Sequence, residues 1–440
     1  MLNPPLSLLS DDLIGYLVEH IANEPFPIHF ALHNLSLADR AFRDVCQKYI
    51  FRSLTLGTEW ATISAKMRSV KGILDDNPLF AHHIRKIHLY MRSGDNSWLF
   101  QNPGGKDLRD EEAVTFISFF HLLANSPMPP HELHLTMGTF PIEDPVLLVR
   151  QISQSFFSQT LTILHLTGCS NVPLTLFIVC RRLKEVRLDM VGAIEETYDN
   201  YPDEQCSTLE APELEVFECQ DSTALIEQLI TPPPRFHRPV VLWSKLRVLT
   251  MCPQNQEEMD FFRSILDAGG SSLEELYLLT APSLLSSTYT GEQLSLAGFV
   301  RLRVFALYTF FDGYTPELAP FWTINPILGT ISTSNTVTNL IFDLRIFVGH
   351  PFDGSRDDDW VGMCNEAIRI SSGKHLELDV KIHVNGRQAE EEDLYMGIME
   401  TIKVLSDHPE ICTHFWYPTQ PSPPARAQIP RGQARARCTK

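Results

Sequence analysis

Apolar residues at the start of the chain recur at helical spacing. Leu9, Leu13, Leu17 and Ile21 fall on one stripe, with Ile14 and Val18 beside it, and this predicts an amphipathic helix. Ser10 is placed to cap that helix, and Asp11 and Asp12 sit where the helix dipole favours negative charge. A second block repeats the stripe at Ala31, Leu35, Ala38, Phe42 and Val45. Pro25 and Pro27 between the blocks do not fit one continuous helix, so the chain opens as helix, turn, helix. So short a segment cannot bury a large core, and its surplus apolar surface must meet something else.

Beyond Gly57 the pattern changes to short runs with apolar residues at the first, fourth and sixth positions. They begin at Ile84, Pro130, Leu161, Leu183, Leu214, Leu246, Leu273, Leu302 and Val337, and a later strand alternates from Leu376 to Val384. The fourth and sixth residues of each run point the same way, as alternate residues of a strand do. Helical patterns lie between them at Ala113–Leu123, Val146–Phe157, Glu257–Leu266 and Trp360–Ile370, with a closing one at Glu390–Leu405. Strand followed by helix, repeated, predicts an α/β fold: parallel strands with helices on the outer side. The spacing is irregular because of insertions. Arg92–Glu112, the acidic stretch Glu195–Glu215 and the Pro-rich Thr231–Pro234 read as loops, and Asp312–Pro326 is expected to break any helix. Pro418–Lys440 has almost nothing to bury and is expected to be a disordered basic tail. The expected organisation is a helical domain over 1–56, a repeat body over 57–417 and the tail over 418–440.

The first block carries a resemblance. Leu9-Ser-Asp-Asp-Leu13 followed by Leu17 and Ile21 resembles the opening of an F-box, and Leu35-Ser-Leu-Ala-Asp-Arg-Ala-Phe-Arg43 resembles its second signature. Cys46-Gln-Lys-Tyr-Ile-Phe-Arg-Ser-Leu-Thr-Leu56 is similar to the join between F-box and first repeat strand in mushroom-type fungal F-box proteins. Ser10 stands where that family has proline, and the turn at Glu24–His29 is longer than usual. The repeats resemble an irregular leucine-rich-repeat solenoid. Leu161-Thr-Ile-Leu-His-Leu-Thr-Gly-Cys169 is the best unit, and its cysteine takes the place of the ladder asparagine. An ordinary doubly wound domain would need far fewer strands of this register. The resemblance implies a substrate-recognition adaptor of a Skp-cullin-F-box type ubiquitin ligase. It would bind a Skp-type adaptor protein, through it a cullin, and a protein substrate of unknown identity. The apolar ridge implied for adaptor binding is Leu9, Leu13, Ile14, Leu17, Leu35, Leu37 and Phe42, some of which must pack inside. The alternative is a leucine-rich-repeat scaffold with no ubiquitin role, in which the N-terminal helices merely cap the repeats.

Composition narrows the setting. The chain has 440 residues, 44% hydrophobic, ample for a large folded body. A net charge of −18 argues against nucleic acid as a partner, because phosphate binding needs clustered Lys and Arg. No basic N-terminal leader and no apolar run of membrane-spanning length is visible, so an intracellular, cytoplasmic or nuclear protein without a membrane partner is expected. Nine cysteines without a Cys-x-x-Cys pair read as reduced core thiols.

Catalytic motifs are missing. There is no Gly-x-Ser-x-Gly elbow and no His-Glu-x-x-His, and Gly104-Gly-Lys106 lacks the rest of a phosphate loop. Asp357–Asp359 and Glu390–Asp393 read as the first turns of helices. No enzyme activity, cofactor or metal is therefore expected. If the strands stack in register, their fifth positions make one row: His88, His134, His165, Arg187, Glu218, Thr250, Tyr277, Ala306 and Ile341. Three consecutive histidines about 4.8 Å apart would be either a metal-binding or pH-sensitive ladder or a plain polar row facing solvent. The long insertions between the repeats favour the plain row. Later residues of that face are apolar or aromatic. The face as a whole, with His165, Arg187, Glu218, Val248, Tyr277, Val304 and Tyr308, is the expected substrate surface, unless a loop such as Asp312–Pro326 covers it.

Overall fold

The computed structural model describes residues 10–22, 28–57, 63–91, 109–137, 158–193, 210–232, 238–280, 294–312, 320–347, 357–385 and 398–416. The proposed helix Val146–Phe157, most of the acidic stretch, the Arg92 loop up to residue 108 and the tail lie outside them, as does Leu9. The chain divides into two compact units, Met1–Ser272 and Leu273–Lys440.

The first unit opens with helices α1 (Asp11–Ala22), α2 (Ile28–Ala38) and α3 (Arg40–Ile50). Ser10 caps α1 as expected: its hydroxyl accepts from the Leu13 amide at 3.4 Å and its carbonyl from Ile14 at 3.0 Å. The second apolar block is two helices rather than one. Asp39 is extended (φ −150, ψ 143) and accepts from the Ala41 amide at 3.0 Å, so it ends α2 and caps α3. Ile14, Val18, Leu32, Phe42 and Cys46 form the small core of the three helices.

Strand β1 (Ser53–Leu56) follows at once and pairs with β2 (Lys86–Met91). Arg52, just before β1, offers its carbonyl to the amides of Arg85 and Lys86 and so fixes the start of this pairing. The sheet continues through β3 (Glu132–Met137), β4 (Ile163–Thr167), β5 (Glu185–Asp189), β6 (Val216–Gln220) and β7 (Val248–Cys252), all parallel and in chain order. Helices α4 (Ile63–Asp76), α5 (Arg109–Ala124), α6 (Thr175–Val179), α7 (Thr223–Ile230) and α8 (Gln256–Gly269) accompany them.

One device locks the register. The carbonyls of Arg85, His131, Thr162, Lys184 and Glu215 each accept two successive amides of the next repeat. The apolar residue at the head of each run, and those at its fourth and sixth positions, are buried, as at Leu161, Leu164 and Leu166. Each such side chain contributes about 1.5–3 kcal/mol by leaving water.

Gly168 leaves β4 with φ +65, and its amide donates to the Asp189 carbonyl at 2.8 Å. A Cβ there would run into the Met137 carbonyl. Gly168→Ala is expected to destabilise the first unit by roughly 1–3 kcal/mol in urea unfolding. Next to it, the buried Cys169 thiol donates to the Leu135 carbonyl at 3.7 Å, tying one repeat to the one before.

The second unit holds a parallel series of its own: β8 (Glu275–Thr280), β9 (Val304–Asp312), β10 (Asn339–Phe347), β11 (Leu376–Asn385) and β12 (Ile411–Trp416). Helices α9 (Pro320–Gly329) and α10 (Asp357–Ser371) belong to it. Helix α9 overturns the expectation that Asp312–Pro326 breaks any helix. Pro320 occupies the first turn, where no amide bond is lost, and Pro326 interrupts only one internal bond of a helix whose Ile324, Ile327 and Leu328 are buried.

Six of the described cysteines (Cys46, Cys169, Cys180, Cys219, Cys252 and Cys364) are buried free thiols, and Cys412 is exposed. Burial pushes Cys169, Cys180 and Cys252 up to about 12. A thiol reagent followed by peptide mapping is expected to label Cys412 in the native protein and the six buried thiols only after unfolding.

Candidate functional site

Two surfaces bring candidate residues together. The first is helical. On α1, Leu13 (55% exposed), Tyr16 (71%) and Leu17 (38%) share one face, and on α2 Phe30 (73%) and Leu37 (67%) are seven residues apart. Leu35 is half-buried against the helical core. Of the ridge candidates, some of which had to pack inside, Ile14 and Phe42 are the buried ones among the described residues. Both point into the core, 2% and 0% exposed, because three short helices need every inward position to exclude water. Tyr16 and Phe30 were missed, although their spacing to Leu13 and Leu37 was readable. Helix α3 and the turn after it lead into the repeats, and there Phe51 stacks on Phe80, in the helical turn Pro78–His83 before β2, with ring centroids 4.6 Å apart.

The second surface is the face of the first unit's sheet opposite the buried fourth- and sixth-position residues. His88, His134, His165, Arg187, Glu218 and Thr250 are paired in register on successive strands, β2 to β7, as the fifth-position reading expected. Third-position residues lie on the same face two residues earlier, which puts Lys86 beside Glu132, and Glu185 across from Ile163. Together they form a polar chain across five strands. Lys86 Nζ lies 3.0 Å from Glu132 Oε1, which lies 2.7 Å from His134 Nε2. His134 Nδ1 and His165 Nδ1 are 3.3 Å apart, and His165 Nε2 is 3.2 Å from Glu185 Oε1. Arg187 donates to Glu185 at 2.8 Å and to Glu218 at 3.0 Å. His88 stands beside this chain, bonded to Thr136 Oγ1 at 2.9 Å.

Burial dominates the electrostatics of the histidines. Desolvation pushes His165 down to about 4 against the pull of Glu185, and it also lowers His134 and His88. Burial alone would raise Glu132, but hydrogen bonds from His134 and Lys86 outweigh it and hold the carboxyl at about 2. The imidazoles are therefore neutral at pH 7 and Glu132 is ionised. The row expected from the sequence held fifth positions only. Glu132 and Glu185 were within the reach of the sequence, because a period of two places third and fifth positions on one face.

Of the remaining substrate-surface candidates, Val248 pairs with Val216 on the same face of the first unit. The second unit holds Tyr277, Val304 and Tyr308. Tyr277 gives its hydroxyl to Glu275 at 2.8 Å, and Tyr308 pairs with Leu279 on one side and Asp343 on the other. Burial, with Asp343 and Asp379 adding to it, pushes the Tyr308 phenol up to about 12. This face carries Tyr277 on β8 and Tyr308 on β9, and toward β10 and β11 it mixes Asp343 and Asp379 with Lys381.

A cleft of about 530 Å³ opens at the leading ends of β3 to β5, lined in part by His131, Thr162, Arg181, Arg182, Lys184 and Glu215. Its lysines are paired, Lys184 with Glu215 at 2.6 Å and Lys245 with Glu213. Among the described residues, no helix is long and apolar enough to cross a membrane. No protein-family model matches the chain, and no curated protein is significantly similar to it.

Proposed function

We propose that this chain is the substrate-recognition adaptor of a Skp-cullin-F-box type ubiquitin ligase. Its N-terminal helices would dock on the Skp-type adaptor and its strand face would hold the protein substrate. The observation that carries this reading is the division of labour in the helical segment. Ile14, Val18, Leu32, Phe42 and Cys46 fill its core, while Leu13, Tyr16, Leu17, Phe30 and Leu37 stay in water. Large apolar side chains left exposed on a domain that already has its core are what a docking surface provides. In this role the chain makes and breaks no bonds. It raises the rate by tethering, which replaces a bimolecular encounter with an intramolecular one. The polar strand face of the first unit, with Arg187 and Glu218, offers charged contacts for a substrate.

The junction through Phe51 and Phe80 favours a second reading, in which the three helices cap a repeat scaffold with no ubiquitin role. Size-exclusion chromatography of the full-length chain mixed with a purified Skp-type adaptor separates the two. Co-elution as a stoichiometric complex is expected. A folded chain that elutes alone over an excess of adaptor leaves only the scaffold.

A further inference from the structure

We infer that Glu132, His134 and His165 form a binding site for a divalent transition-metal ion, with Zn²⁺ as the best fit, on the polar strand face of the first unit. One ligand atom from each of the three lies within 4.8 Å of the others. Proton counting gives the reason for an ion. Three contacts run in line, Glu132 to His134, His134 to His165 and His165 to Glu185, and each needs one proton. Two neutral imidazoles supply two. When each gives its Nε2–H to its own carboxylate, two unprotonated Nδ1 atoms are left 3.3 Å apart between rings tilted by 46°. A Lewis acid turns that unbridged contact into chelation. Zn–N bonds of about 2.0–2.1 Å at a tetrahedral angle place two nitrogens roughly 3.3–3.4 Å apart. The nitrogens already stand at that spacing. To bind an ion the rings, 3.8 Å between centroids, swing apart while Glu132 turns its carboxylate from His134 Nε2 to the ion.

The surroundings match a metal centre in two further ways. Glu185 takes the Nε2–H of His165 and is itself held by Arg187, so the tautomer that leaves Nδ1 free is enforced from outside. The side chains of Glu132, His134 and His165 keep 21%, 18% and 17% of their surface, enough for an ion to enter and for water to complete the shell. Charge also favours a cation, because Glu132, Glu185 and Glu218 outnumber Lys86 and Arg187. Two imidazoles and a carboxylate suit Zn²⁺, Co²⁺ and Cu²⁺ better than Mg²⁺ or Ca²⁺. A bound ion would staple β3 to β4. This inference stands independently of the adaptor reading.

The test uses the full-length chain, stripped with a chelator and titrated with Co²⁺ while its visible ligand-field bands are followed, with Zn²⁺ as competitor. One equivalent of Co²⁺ is expected to bind in a distorted tetrahedral field and to be displaced by Zn²⁺. His134→Ala and His165→Ala should each weaken binding by roughly 100-fold or more, and Glu185→Gln by about 10- to 100-fold. His88→Ala should leave it unchanged. Failure of the unaltered chain to bind, or binding that survives both histidine substitutions, overturns the site and leaves a proton as the bridge. The unaltered chain also gives an answer that does not depend on variants folding. Carbethoxylation mapped by mass spectrometry should show His134 and His165 protected by Zn²⁺, and equal modification with and without saturating Zn²⁺ overturns the proposal.

Discussion

Leu17→Asp is expected to leave the helical segment folded and to abolish docking, whereas Ile14→Asp, three residues away on the same helix, should unfold it. Leu17 is 38% exposed and Ile14 is 2% exposed. A charge at position 17 stays in water, and its effect on stability should lie within about 0.5 kcal/mol. At position 14 the carboxylate would sit among Val18, Leu32, Phe42 and Cys46 with no partner, and the cost should exceed about 4 kcal/mol. Phe42→Ala should behave like Ile14→Asp, at about 3–5 kcal/mol, by opening a cavity. On the adaptor, Leu17→Asp, Leu13→Asp and Leu37→Asp should each lose about 2 kcal/mol or more, some 30-fold in affinity. Urea unfolding by circular dichroism reads stability, and titration calorimetry with the Skp-type adaptor reads binding. Unchanged affinity in all three folded surface variants would remove the exposed apolar residues as the docking surface.

Arg187→Met is expected to cost the first unit about 3 kcal/mol, although the change keeps most of the volume. The guanidinium stands between Glu185 and Glu218 on neighbouring strands, and the Glu185 side chain is only 8% exposed. Without Arg187, two carboxylates face each other across the sheet and one of them is nearly dry. Breaking such a pair from one side typically costs about 3–5 kcal/mol, and the 30% exposure of Arg187 puts this case at the low end. Removing the charges together should restore most of the loss, so Glu185→Leu/Arg187→Met/Glu218→Leu is expected to be more stable than Arg187→Met alone. A mutant cycle in urea gives the coupling, and additive losses would show that the three groups act separately.

Much of the sheet could be read in advance because a strand writes its geometry locally. In Leu161–Leu166 the apolar residues at positions one, four and six mark the buried face wherever the strand ends up, and a period of two assigns His165 to the other face. On the condition that the strands stack in register, the same spacing in successive runs predicted that His88, His134, His165, Arg187, Glu218 and Thr250 would lie side by side. Local rules also placed the cap at Ser10 and the start of α10 at Asp357. They failed at α9, where burial of Ile324, Ile327 and Leu328 outweighs the local cost of Pro326.

The sequence by itself determined which residues of each strand face inward, the chain order of parallel strands and the amphipathic character of the first helices. These properties follow from periodicities of two and 3.6, and the backbone enforces them over a few residues. Only the tertiary structure decided that Leu13 faces water while Ile14 faces the core, that Asp39 divides one apolar stripe into two helices, and that Glu132, His134, His165 and Glu185 meet in one chain of contacts. His134 and His165 are 31 positions apart, and no local rule brings their nitrogens to 3.3 Å. Register does so, because the carbonyl of His131 accepts the amides of Thr162 and Ile163 and thereby sets which side chains of β3 and β4 stand opposite each other.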